Sequence, residues 1–104
     1  MRAQSPLRIA IPEQQIIEFC RRWKVREFSL FGSAVRDDFG PESDVDVLVR
    51  FERDAPWSLF DFVTMRDELA DLFGRDVDLV EEESLRNPFR RETVLRDKRV
   101  IYAA

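Results

Sequence analysis

Two aspartates separated by one residue open a strongly apolar segment. Asp44 and Asp46 flank Val45, and the segment continues as far as Phe51. Because side chains alternate along a β-strand, the two carboxylates are expected on the same face. Like charges that lie this close repel each other, and a divalent cation relieves the repulsion. Mg²⁺ prefers oxygen ligands and keeps substrate phosphates in its shell, so the pair predicts a magnesium site, with a solvated acidic strand edge as the alternative.

A third acid stands in the middle of a later predicted strand. Asp78 lies between Val77 and Leu79. An unpaired buried acid is costly, so this position indicates a nearby ion or partner. An exposed acid on an edge strand explains the pattern equally well. Asp76 shares the face of Asp78 and remains an alternative as the third acid.

A glycine and a serine end the first predicted strand and open a turn. Gly32 permits backbone angles that other residues resist, and it lets a ligand approach the main chain. Exposed N–H groups and the Ser33 hydroxyl can then hold phosphate oxygens. A Gly-Ser pair by itself is also typical of an ordinary strand-ending turn.

The composition excludes several classes of function. The 104-residue chain has no histidine, which removes histidine-based catalysis and histidine-ligated zinc. Its single cysteine, Cys20, excludes an internal disulfide and is predicted to be buried within a helix. The net charge of −4 disfavours general nucleic-acid binding, which phosphate neutralisation drives. With no apolar run of about 18 residues and no secretory signal, the protein is expected in the cytoplasm and not at a membrane.

Apolar periodicity predicts three helices and three strands, in the order helix, strand, strand, helix, strand, helix. The helices are predicted over 12–23, 59–73 and 88–97, and the strands over 27–31, 45–51 and 76–80. A helical turn is predicted at 34–38 and a short apolar end at 100–102. Ser58 as N-cap and Gly74 as C-terminal stop bound the second helix.

These elements predict a single domain over residues 1–104, with a loosely held N-terminal arm at 1–11. The fold class is α/β or α+β, with a small sheet and helices covering one face. The loop between the first two strands permits either a hairpin or a crossover connection.

The combined motifs resemble those of a known superfamily. Gly32-Ser33, then Ser43-Asp44-Val45-Asp46, then Asp78 is similar to the nucleotidyltransferase signature of the DNA polymerase β superfamily. The runs LFGSAVR at 30–36 and RVIY at 99–102 resemble the minimal nucleotidyltransferases (MNT), small prokaryotic proteins usually encoded beside a HEPN-domain toxin. The resemblance spans about residues 13–102 and implies a polymerase β-like fold, a small mixed β-sheet backed by helices, with the active site along one sheet edge.

The resemblance also implies roles for individual residues. Catalysis and the binding of two Mg²⁺ ions would fall to three acids: Asp44, Asp46 and Asp78. Binding of the substrate ATP would fall to four residues: Gly32, Ser33, Arg36 and Ser43. Arg36 would lie near the triphosphate or stabilise the loop, and Asp37 stands where many members have glycine.

MNT proteins resembling this one are antitoxins that transfer AMP from ATP to a tyrosine of the HEPN toxin. The resemblance therefore implies an adenylyltransferase antitoxin with a HEPN partner and no direct nucleic-acid binding. Two alternatives stay open: an inactive MNT fold that neutralises its partner by binding only, and a small-molecule nucleotidyltransferase. The acceptor tyrosine, the base preference, the number of AMP units and homo- or hetero-oligomerisation are not determined by the sequence.

Two further features have alternative interpretations. Trp57 is either an anchor for a partner or packs on the following helix. The basic side chains of the tail form either a solvated face or a surface for ATP or an acidic partner. These side chains are Arg86, Arg90, Arg91, Arg96, Lys98 and Arg99.

Overall fold

Four strands form one mixed sheet in the computed structural model, which describes residues 10–36, 40 and 42–104. The strands are β1 (Val25–Phe31), β2 (Val45–Phe51), β3 (Val77–Glu81) and β4 (Arg99–Ala103), and the helices are α1 (Glu13–Arg22), α2 (Leu59–Phe73) and α3 (Pro88–Asp97). The strand order is β3-β2-β1-β4. β1 pairs antiparallel with β2 and β4, whereas β2 and β3 run parallel.

The predicted mixed sheet backed by helices is confirmed. The observed bounds of β2, α2 and α3 equal the predicted ones, and the antiparallel pairing of β1 with β2 settles the open connection. The prediction missed β4, which was expected only as an apolar end. Five residues at a sheet edge are too short to show an alternating pattern, so only the pairing with β1 reveals this strand.

Helices α1 and α2 cover one face of the sheet. Phe19 and Cys20 of α1 and Met65 and Leu69 of α2 pack in one buried cluster with the sheet residues that include Val47. The Cys20 side chain is fully buried, and burial raises the pKa of its thiol to about 12. Cys20 is therefore an inert core residue, as the sequence predicts.

Helix α3 covers the opposite face, so the expectation that helices cover a single face is wrong. Leu48 alternates with the valines of β2 and points away from α1 and α2. It forms a second buried cluster with Phe31, Leu85 and Val94. A strand that is apolar on both sides needs cover on both faces, and α3 supplies it here.

Side chains fix both ends of α3. The Asn87 carboxamide oxygen accepts hydrogen bonds from the backbone N–H groups of Phe89 (2.9 Å) and Arg90 (3.2 Å). At the other end, the Lys98 ammonium donates to the Glu27 carboxylate of β1 and lies 3.8 Å from Glu82. Part of the basic tail therefore has a structural role. It holds α3 on the sheet.

Local signals also define α2. Ser58 and Asp61 form a reciprocal capping box at its start, and Gly74 ends it with a φ of 67°. Both signals were predicted, and both are confirmed. No helix in the described part of the chain is long and apolar enough to cross a membrane.

Two predictions fall partly outside the described residues. The predicted N-terminal arm covers residues 1–11, of which 1–9 are not described, and Ile11 packs against the core. The predicted turn at 34–38 extends to residues 37 and 38, which are not described either, and the observed 3₁₀ turn is Gly32–Val35.

Replacing Lys98 with Met is expected to flatten the dependence of stability on pH in acid. The Lys98 ammonium, assisted by Arg50, holds the pKa of the Glu27 carboxyl below its ordinary value. A depressed folded pKa stabilises the protein above the unfolded pKa, and this contribution is lost as pH falls through the folded pKa. Urea unfolding at about pH 6 and about pH 3 should therefore show a smaller difference for Lys98→Met than for wild type.

Arg66→Met is the control, because it removes an exposed ion pair with Asp67. An unchanged pH dependence in Lys98→Met would show that the Glu27 contact contributes nothing to stability.

Candidate active site

Gly32 begins the 3₁₀ turn that follows β1. Its φ is +66°, and a Cβ at this position would lie only 2.1 Å from the Asp46 Oδ2 atom. Both the backbone angle and the available space therefore require glycine. The Asp46 carboxylate lies directly against the turn that the sequence analysis assigned to phosphate binding.

Strand pairing explains this contact. Asp46 is the partner of Phe31 across β1 and β2, so its side chain lies beside the end of β1. The half-buried carboxylate accepts a hydrogen bond from the backbone N–H of Ser33. The turn therefore both confines and orients Asp46.

The surroundings of Asp46 disfavour the negatively charged form of its carboxyl group. Burial raises its pKa, and the nearby negative charge of Asp78 raises it further, with a smaller contribution from Asp44. The Ser33 N–H and the positive charge of Arg36 oppose this shift in pKa without cancelling it. The three predicted acids and Arg36 thus interact electrostatically at one sheet edge.

The parallel pairing of β2 and β3 brings the third acid alongside. Asp46 and Asp78 are register partners, and Asp44 precedes Asp46 by two residues on the same face. Asp44 and Asp78 are both exposed to solvent. Asp76 lies before β3, where its carbonyl accepts from Val45 N at 3.0 Å. The register favours Asp78 over Asp76 as the third acid of the site.

The donor set at this edge suits a hard cation. Carboxylate oxygens are the ligands that Mg²⁺ prefers. Burial raises the pKa of Asp46, the neighbouring carboxylates raise it further, and a cation beside them would oppose this shift. Among the residues described, no three acidic side chains form a group already arranged to hold a metal ion. A bound cation would offset the mutual repulsion of these carboxylates.

Arg75 is a residue of this region that the sequence analysis missed. Its Nη1 atom donates to the carbonyl oxygens of Gly40 (2.7 Å) and Ser43 (3.1 Å), in the loop that leads to Asp44. The Ser43 hydroxyl accepts from Gly40 N at 3.0 Å, which gives this predicted nucleotide ligand a role within the loop. An arginine directly before the strand that carries Asp78 was the available signal.

Asp37, the departure from the family pattern, lies outside the described residues.

A cavity of about 380 Å³ adjoins the turn. Gly32 and Arg36 line one side, and Phe89, Arg90 and Thr93 of α3 line the other. Its volume lies within the range of about 300–1,000 Å³ that is usual for small-molecule sites. The cavity therefore offers space for a ligand beside Asp46.

A larger cavity of about 980 Å³ lies toward the other end of β2, and none of the predicted site residues lines it. Trp57 is part of its wall, donates from Nε1 to the Trp23 carbonyl at 2.7 Å, and packs edge-on against the Trp23 ring at 5.0 Å. Trp57 therefore packs within the protein, on Trp23 at the end of α1, whereas the packing alternative in the sequence analysis placed it on the following helix. The predicted site residues Gly32 and Arg36 line the smaller cavity, so this cavity is the candidate ligand site although the other one is larger.

Comparison with known proteins shows the family of this chain. Residues 13–101 match the family model described as a nucleotidyltransferase domain. The chain belongs to the nucleotidyltransferase family. It is 44% identical over 85 residues to the protein adenylyltransferase MntA of Thermococcus cleftensis, and the match covers 82% of this chain and 81% of that relative. The resemblance to the minimal nucleotidyltransferases is thereby confirmed, and the protein is an enzyme of this class.

Two solved structures share the fold of this nucleotidyltransferase. One is a toxin-antitoxin complex with AMP-PNP, at 24% identity and a TM-score of 0.66 over 90% of this chain and 75% of that one. The other is a tri-AMPylated Shewanella oneidensis HEPN toxin in complex with MNT antitoxin, at 22% identity and a TM-score of 0.62 over 88% of this chain and 70% of that one. Both likenesses confirm the predicted fold class.

Gly32→Ala is expected to lower nucleotidyl transfer by about 100-fold, because a Cβ would displace the Asp46 carboxylate. The positive φ adds a loss of about 1–2 kcal/mol in the free energy of unfolding. Gly74→Ala is the matched control, since it has the same φ but nothing within 4 Å of the added Cβ. It should lose similar stability in urea unfolding and keep its activity. Wild-type transfer by Gly32→Ala would contradict this account of the turn.

Proposed function

We propose that this nucleotidyltransferase is an antitoxin that transfers AMP from ATP to a tyrosine hydroxyl of a cognate HEPN toxin. The observation that carries the proposal is the placement of the Asp46 carboxylate against the Gly32 turn, in register with Asp78. The identity of 44% to a protein adenylyltransferase supports AMP as the transferred group. The complex of an AMPylated HEPN toxin with an MNT antitoxin, which has the same fold, supports the partner.

Three acids would hold the metal in this proposal: Asp44, Asp46 and Asp78. Two Mg²⁺ ions, when bound, would neutralise the triphosphate and increase the nucleophilicity of the acceptor hydroxyl. Asp46 is the acid that the fold positions most closely, through the Ser33 N–H. Asp44 and Asp78 are exposed and can adjust to the ligand.

The turn after β1 would bind the triphosphate. Gly32 leaves the main chain open to close approach, and the Ser33 hydroxyl supplies a donor to a phosphate oxygen. Arg36, whose charge already reaches Asp46, lies where it can offset the charge of the phosphates. Ser43 would contribute by fixing the loop before Asp44.

The reaction joins the tyrosine oxygen to the α-phosphorus of ATP. The bond from that phosphorus to the oxygen bridging the α- and β-phosphates breaks, and pyrophosphate leaves. The hydroxyl proton passes to a carboxylate, for which we assign Asp78 because it is exposed at the edge of the site. No histidine is needed, since positioning and charge neutralisation dominate such transfers.

The net charge of −4 is consistent with a protein acceptor in place of a polynucleotide. We propose the cytoplasm as the place of the reaction, because ATP is found there.

An antitoxin that acts only by binding is the competing proposal. The observation that favours it is that, in the described residues, the three acids do not already form a metal-holding group. Catalysis and binding are separable, because only catalysis depends on the carboxylates.

Asp46→Asn and Asp78→Asn are expected to lower AMP transfer at least about 100-fold, because each would remove a metal ligand. The assay combines the purified protein, Mg²⁺, labelled ATP and the cognate HEPN toxin, and mass spectrometry locates AMP on tyrosine. Asp76→Asn is the control and should retain transfer. A wild-type complex with the toxin that carries no label would instead support the binding-only antitoxin, and full transfer by Asp46→Asn would refute the assigned site.

Mg²⁺ is expected to raise the melting temperature of the wild-type chain. A ligand present at about 100 times its Kd stabilises the folded state by about 2.7 kcal/mol. Asp46→Asn should show a much smaller shift, and K⁺ at matched ionic strength should produce none in either protein. Equal shifts in wild type and Asp46→Asn, measured by thermal unfolding with and without EDTA, would exclude Asp46 as a ligand.

A further inference from the structure

We propose that Phe89 stacks on the base of the bound nucleotide, so that α3 forms the base-binding wall of the active site. This inference rests on the proposed function, since it assumes that the turn at Gly32 binds the triphosphate of ATP.

The cavity beside the turn lies between Gly32 and helix α3. Gly32 and Phe89 line the same space of about 380 Å³. Gly32 also contacts the carboxylate of Asp46, so one wall of the cavity is the residue that adjoins this acid. A nucleotide with its phosphates at the turn therefore has α3 as the neighbouring wall for its base.

Phe89 is unusually exposed for a phenylalanine in this fold. It is 80% exposed, whereas Phe19, Phe28 and Phe31 are buried. An aromatic face offers a stacking platform to any base, and such contacts are sequence-tolerant because every base has a π-face. Phe60 on α2 is equally exposed, at 86%, but it does not line this cavity.

The start of α3 holds Phe89 in place before any ligand binds. Pro88 occupies the first turn of the helix, and Asn87 accepts from the backbone N–H of Phe89. A contact surface whose backbone is already fixed loses little entropy on binding. The Thr93 hydroxyl donates to the Phe89 carbonyl at 3.1 Å, which adds a second bond to the backbone of Phe89.

Two cations border the same cavity. Arg36 lies on the side of the turn and Arg90 on the side of α3. Asp97 also lines the cavity, but it forms an ion pair with Arg96 (Nε–Oδ1 3.1 Å), so the charges of the two cations favour a triphosphate at the mouth of the cavity. The aromatic side chain matches the base of a nucleotide, and the cationic side chains match its phosphates.

Binding of two probes to the full chain in Mg²⁺ tests the inference. One probe is ATP, and the other is inorganic tripolyphosphate, which has the phosphates without the base. Phe89→Ala should weaken ATP binding by roughly fivefold or more in calorimetric titration and leave tripolyphosphate binding unchanged. Phe89→Trp should bind ATP at least as tightly as wild type, and Phe60→Ala, the matched control, should bind both probes normally.

The other outcomes distinguish a failure of stacking by Phe89 from a failure of the proposed function. Unchanged ATP binding by Phe89→Ala, or an equal loss for both probes, overturns stacking by Phe89 while the proposed function stands. Normal binding of ATP without AMP transfer to the toxin by wild type overturns the proposed function while stacking stands. Absence of ATP binding by the wild-type chain overturns both.

Discussion

The contact between the Asp46 carboxylate and the turn at Gly32 is the constraint on which the site depends. A half-buried negative charge is stable in a protein only where donors or cations compensate it. Here the Ser33 N–H and the charge of Arg36 compensate part of it, while Asp78 and Asp44 oppose them. Burial and these neighbouring charges leave the pKa of Asp46 raised, and a residue larger than glycine at position 32 would remove the space that the carboxylate needs.

Helix α3 serves the core and the site with different residues. Val94 closes the second hydrophobic cluster, while Phe89 and Arg90 border the cavity. The ion pair of Lys98 with Glu27 and the cap at Asn87 hold the helix at both ends. The packing that makes the second face of the sheet stable therefore also sets the width of the cavity beside Gly32.

Local signals made much of the fold predictable from the sequence. The alternation of β2, the cap at Ser58 and the stop at Gly74 each act within a few residues, and each matches the structure. The alternation of side chains along β2 also predicts correctly that Asp44 and Asp46 lie on one face. Contacts between distant segments were not predictable. The pairing of β4 with β1 and the bonds from Arg75 to Gly40 and Ser43 depend on the assembled sheet.

The pairing of β2 with β3 makes the position of Asp78 depend on the correct register of the sheet. A slip of one residue would turn Asp78 toward Met65 and Leu69 and would expose Val77 and Leu79, which are now buried. Such a misaligned sheet would bury an unpaired charge and lose apolar contacts at the same time. A folded but misregistered molecule is therefore strongly disfavoured, so every chain that folds also holds Asp78 beside Asp46.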